Sequence, residues 1–226
     1  RERERLVEEG RGGHDPVDRA ELLRLRERDR VAAERPAGER PLADGYAEQE
    51  RAEASSRVVG RMATLAAQVE NILRTARHWA ANDLVRVDEP GHFNSVFMPL
   101  IREHAIISSV HLADDTGREI LLLEPPTEWK NRLTDVAAAG TGQRWLHWKD
   151  EHTQTGVELL EQDYDPRKRP WFKAALEAPE GRVTWTAPYQ FQTTRDPGIT
   201  ASMWWRDPRS GRRMVVALDV MLTDIS

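Results

Sequence analysis

Arg169 stands directly before Pro170 in the run Tyr164-Asp165-Pro166-Arg167-Lys168-Arg169-Pro170-Trp171-Phe172. Proline suits the first position of a helix, so this order puts a guanidinium at a helix start. An anion there meets a planar donor fork, free backbone N–H groups and the positive end of the helix dipole. Trp171 adds an indole N–H and an apolar wall, and Tyr164, Phe172 and Tyr189 supply aromatic faces, two of them with hydroxyls. These five residues form a physical recipe for holding a small carboxylate. Asp219, near the end of the apolar run 214–221, either stands as a sixth site residue or caps a following helix. A rival arrangement pairs Arg169 with Asp163 or Asp165 to pin the loop, with Trp171 and Tyr189 as core.

Other chemistries have less behind them. His147 and His152 bracket four residues at a spacing that fits no helical face, and no third ligand is evident, so no metal site is expected. Ser108, His111 and Asp114 lie in a hairpin with no nucleophile elbow or oxyanion hole, and Gly140-Thr141-Gly142 lacks the rest of a phosphate-binding loop. The absence of Cys excludes disulfides, thiol catalysis and thiolate metal sites. No paired acid and base stands out, so neither enzymatic activity nor a cofactor is expected. Acidic residues outnumber basic ones, 38 to 33, which argues against a nucleic-acid partner.

The elements that position these residues follow from patterning. All 8 Trp and all 4 Phe lie after position 78, so a core can form only in the later part of the chain. Residues 1–50 read as a charged N-terminal extension in which 17–33 could be helical. Pro41 and Gly45 break it further. Over 52–85, Val58, Met62, Leu65, Val69, Ile72, Ala76 and Trp79 follow a 4-3-4-3 spacing, the stripe of one long helix. That stripe suits burial against its own domain and suits equally a homodimer seam, so 51–88 reads as a stalk or dimerisation element. Residues 89–226 begin with a short helix from Phe93 to Glu103, interrupted near Pro99. A hairpin of 106–113 and 118–124 follows, turning at Asp114-Asp115-Thr116-Gly117. The segment 144–148 is either a strand or a loop. A helix over 170–178 precedes strands at 183–189, 199–206 and 214–221, and Trp204 and Trp205 must take opposite faces of theirs. The order gives an α+β fold, an antiparallel sheet with flanking helices.

The central run resembles the motif of Cache sensor domains, in particular the membrane-distal module of the double-Cache family. Trp185-Thr186-Ala187-Pro188-Tyr189 is similar to that family's W-T-x-P-Y strand, Pro197 to Ser202 to its next strand, and Val215 to Val220 to its closing strand with Asp219. Ile107 to Glu119 resembles its first hairpin. The resemblance covers residues 57–226 and implies a PAS-like sheet hung on a long N-terminal helix, with a ligand held between the sheet and the loop-helix of Arg169. It implies the extracytoplasmic, periplasmic part of a membrane-anchored receptor, such as a histidine kinase, nucleotide cyclase or chemoreceptor, with a small organic acid or amino-acid-like ligand. Positions where amino-acid-binding members carry acids are Ala174 and Phe191 here, so a carboxylate without an α-amine fits better. No apolar run approaches the roughly 20 residues of a membrane span, and the chain reads as part of a longer protein.

Overall fold

The computed structural model describes residues 40–123 and 127–224, with side chains from residue 48 onward. The helix expected over 17–33 and the end of the hairpin strand at 124 lie outside the described residues.

Helix α1 runs from Arg40 to Ala81, a dozen residues further upstream than the apolar stripe predicts. Pro41 does not stop it, because Pro41 sits in the first turn, where backbone N–H groups have no helical acceptor anyway. By contacts the chain divides into Arg1–Val59 and Gly60–Ser226. The described part of the first unit is helical and exposed from residue 48. In the second unit Val69, Ile72, Leu73 and Ala76 of α1 are buried. Helix α2 (Pro90–Glu103) is continuous through Pro99 and buries Phe93, Phe97, Met98 and Ile101.

The strands are β1 (Ser109–Asp114), β2 (Arg118–Leu123), β3 (Trp129–Asp135), β4 (Gly142–Trp148), β5 (Gln154–Glu161), β6 (Thr184–Trp185), β7 (Tyr189–Gln190), β8 (Pro197–Arg206) and β9 (Arg213–Met221). They form one antiparallel sheet in the order β5-β4-β3-β2-β1-β9-β8-β6, with β7 also on β8. The strands β3 and β5 were not predicted, and 183–189 is two short strands rather than one. Helix α3 is a single turn, Val136–Ala139, and helix α4 (Pro170–Glu177) is the one predicted at 170–178.

Side chains alternate between the two faces of the sheet. One face carries Val110, Leu112, Ile120, Leu122, Met203, Trp205, Val216 and Leu218, which pack with α1 and α2 in the main core. The other carries Ala113, Val215 and Ala217 under Trp171, Phe172 and Ala175 of α4. Trp204 faces this second cluster and donates to the Ala178 carbonyl at 2.8 Å, while Trp205 lies in the first. Beside α4 the second face is polar. His111, Glu119, Arg132, Thr200 and Asp219 come from five neighbouring strands and are all buried.

Candidate ligand-binding site

A cavity of about 610 Å³ lies on this second face. Its walls include five of the six residues expected at a ligand site: Tyr164, Arg169, Trp171, Tyr189 and Asp219. The sixth, Phe172, does not line it. One residue along a helix turns the side chain by about a quarter of a circle, so Phe172 packs into the α4 cluster, edge-on to Trp171 at 5.5 Å between centroids.

Among the described residues Arg169 has no acidic partner, and local structure explains why. Asp165 caps a 3-10 turn at Pro166–Lys168 and binds Arg167, whose Nη2 lies 2.8 Å from Asp165 Oδ2. Arg169 is left with weak bonds to neutral acceptors, Gln192 Oε1 at 3.4 Å and the Gln190 carbonyl at 3.5 Å. Its guanidinium carbon stands 5.7 Å from the centre of the Tyr189 ring. Trp171 is 1% exposed, lines the cavity, and its indole N–H has no acceptor among the described residues. A guanidinium and an indole donor therefore share one wall with capacity to spare.

The floor is different, because its groups satisfy one another. Asp219 Oδ2 accepts from Ser109 Oγ at 2.7 Å and faces His111 Nε2 at 2.9 Å, and its Oδ1 accepts from Thr200 Oγ1 at 2.6 Å. Thr200 in turn accepts from the Tyr189 hydroxyl at 2.7 Å. On the other side of the imidazole, His111 Nδ1 is 2.9 Å from Glu119 Oε1, which also accepts from the Tyr164 hydroxyl at 2.8 Å. Arg132 Nη2 donates to Glu119 Oε2 at 2.9 Å, and its guanidinium lies 3.7 Å above the Tyr164 ring. The register explains the cluster: His111 sits opposite Leu121 and Ala217, so Glu119 and Asp219 are its diagonal neighbours on the same face.

These contacts set the charge states. Burial alone would discharge His111, but Asp219 and Glu119 outweigh it and raise its pKa to about 9. Burial likewise pushes Glu119 up, and Arg132 and His111 overcome it, bringing the carboxyl down to about 2. Asp219 is lowered against its own burial by His111, Ser109 and Thr200. Burial raises the Tyr164 phenol well above its usual value, so it stays a donor to Glu119. His111, Glu119 and Arg132 were missed in the sequence as site residues. The available signal was a charged or imidazole side chain alternating with aliphatic residues inside a strand, as in Val110-His111-Leu112.

The mouth is covered by the loop Phe191–Asp196 between β7 and β8. Phe191 is buried over Gly198, where a Cβ would strike the Phe191 ring and come within 2.7 Å of the Val220 carbonyl oxygen. Thr193 accepts from Arg132 Nη1 at 2.8 Å.

A long helix, an antiparallel sheet and a short helix beside a cavity make up the fold of Cache-type sensor domains. Among solved structures of this fold is the extracellular domain of soHK1S-Z6, assigned as a histidine kinase. It matches with a TM-score of 0.52 at 12% identity over 80% of this chain and 64% of that one. The ligand-binding domain of the Campylobacter jejuni chemoreceptor Tlp3, solved with L-valine, gives 0.49 at 15% identity over 75% and 58%. That of the Pseudomonas aeruginosa amino-acid chemoreceptor PctC, solved with GABA, gives 0.48 at 16% over 79% and 62%. In sequence, a stretch of 54 residues is 51% identical to the methyl-accepting chemotaxis protein McpC of Bacillus subtilis, covering 24% of this chain and 8% of that protein. The chain thus spans less than two thirds of each of these solved domains and a small fraction of McpC. No protein-family model matches.

Proposed function

We propose that this chain is the extracytoplasmic ligand-sensing part of a membrane-bound bacterial signalling protein, and that it binds a small carboxylate without transforming it. The observation that carries the reading is Arg169, a guanidinium on the cavity wall with only neutral, distant acceptors. A half-buried donor fork beside an indole N–H that has no acceptor among the described residues gains most from an anion. Residues 89–226 serve as the sensor module, with Tyr164, Tyr189 and Asp219 completing the site, and 51–88 as its stalk. Catalysis is disfavoured because both nitrogens of His111 already face carboxylates, which leaves no free base at the floor. A ligand that bound one arrangement of the loop-helix better than another would shift the population of the two, and the closing strand β9 is placed to pass that shift on. The likeness in fold to an extracellular receptor domain supports this placement. Among the described residues no helix is long and apolar enough to cross a membrane.

The test is calorimetric titration and thermal melting against a panel of organic acids. A ligand at a hundred times its dissociation constant should stabilise the protein by about 2.7 kcal/mol. Arg169→Ala should weaken binding by about 2–4 kcal/mol, roughly 30- to 1000-fold, with little change in the melt of the empty protein. Equal affinity in the variant would remove the basis of the reading.

A second reading rests on α1. Val58, Val59 and Met62 are 56%, 63% and 46% exposed, an apolar strip left uncovered in the single chain. On this reading the helix forms a homodimer and the module holds the receptor together without a ligand. Sedimentation equilibrium of wild type and Val59→Glu tests it, and a monomer at all concentrations would reject it.

A further inference from the structure

We infer that His111 is a built-in cation that occupies the place a ligand ammonium would otherwise take, so that the site selects carboxylates lacking an α-amine. The inference rests on the carboxylate reading above and goes further, to the residue that sets ligand class.

The argument begins with what the cavity still has to offer. Its floor holds two carboxylates, Glu119 and Asp219, and each is already engaged. Glu119 is bonded by Arg132, His111 and Tyr164, and Asp219 by His111, Ser109 and Thr200. A carboxylate has about four lone-pair sites, so each has about one left, with a cation alongside. The ring of His111 meets carboxylate oxygens at both nitrogens, 2.9 Å each, and a neutral imidazole could donate to only one of them. The doubly protonated ring satisfies both. The remaining acid at the rim, Asp196, is exposed to water.

Charge then decides the ligand. His111, Arg132 and Arg169 carry three positive charges against two negative ones on Glu119 and Asp219. One added negative charge balances this set, in which Arg169 is half-buried at the rim and the other four are buried, and a zwitterion leaves it unbalanced. Position agrees. The His111 ring lies 5.0 Å from that of Trp171, which adjoins Arg169. Tyr189 runs from beneath the Arg169 guanidinium to Thr200, which bonds Asp219. An amine attached next to a carboxylate held by Arg169 and Trp171 would therefore approach the floor where His111 already sits. Like charges beside a buried imidazolium repel more strongly than they would in bulk water. Removing the imidazolium leaves Asp219 bonded to Ser109 and Thr200 but without a counter-charge, open to an ammonium.

Matched acids test this by titration calorimetry: propanoate against L-alanine, 3-methylbutanoate against L-valine, and 4-methylpentanoate against L-leucine. Wild type should favour the amine-free member by about tenfold or more, and His111→Asn should erase or reverse that ranking. A wild-type preference for the amino acid, or the same amine-free preference in His111→Asn, overturns the inference and leaves the carboxylate reading standing. Failure of wild type to bind any member overturns both. His111→Gln repeats the measurement with a longer neutral amide. Should neither variant fold, the imidazole nitrogen shifts of the wild-type protein at pH 7 decide: both nitrogens protonated supports the inference, and a neutral ring overturns it.

Discussion

The two faces of the sheet are held by different physics. On the helix-covered face, Val110, Leu112, Ile120 and Val216 meet Leu73, Phe93, Phe97 and Ile101 in contacts that have no direction and tolerate small changes of shape. On the cavity face, five strands contribute one member each to a hydrogen-bonded set in which every charge depends on its neighbours. The first face makes the domain fold. The second gives up packing for a preorganised floor, and a set of that kind loses much if one member fails.

That contrast can be broken most severely at Glu119. Glu119→Gln keeps the shape but leaves Arg132 and His111 without their shared counter-charge, and should cost about 3–5 kcal/mol in denaturant unfolding. Next in size is the response to pH. His111 is raised from 6.5 to about 9, so its contribution is complete below pH 6.5 and disappears as pH rises through 9. Glu119 is lowered from 4.5 to about 2, so its contribution is complete above pH 4.5 and is lost as pH falls towards 2. Denaturation midpoints should therefore form a plateau between those limits and decline on both sides. The smallest effect belongs to the apolar face, where Ile101→Val should cost about 0.5–1.5 kcal/mol by the same measurement. It should lower the whole pH curve evenly, whereas Glu119→Gln should flatten it. Equal flattening by both would mean that the two faces are not distinct.

The apolar face was the legible one. Its residues announce themselves by spacing: the 4-3-4-3 stripe of α1, and the aliphatic runs of β1, β2, β8 and β9. The strand β3 reads Trp-Lys-Asn-Arg-Leu-Thr-Asp and carries no strand signal, because Asn131 and Arg132 look solvated when their partners are unknown. Asn131 is in fact buried against Asn94 at 2.9 Å, and Arg132 against Glu119. The edge strand β5 is exposed along most of its length, so burial left no period-2 signal there. At the site, short-range order was readable: Arg169, Pro170 and Trp171 are consecutive, and a helix start fixes what they can do. The floor was not, since His111, Glu119, Arg132 and Asp219 meet only through strand register. Phe172 falls outside the cavity lining by a single step of helical rotation, which adjacency in sequence does not reveal.

The covering loop adds a last consequence. Its grip on the arginines is lopsided: Arg132 holds Thr193 at 2.8 Å, whereas Arg169 reaches Gln192 and Gln190 only at 3.4 and 3.5 Å. On the reading proposed above, an anion taken up by Arg169 would displace only those two weak bonds, while Thr193 keeps its bond to Arg132 and Phe191 its place over Gly198, where a Cβ would strike its ring.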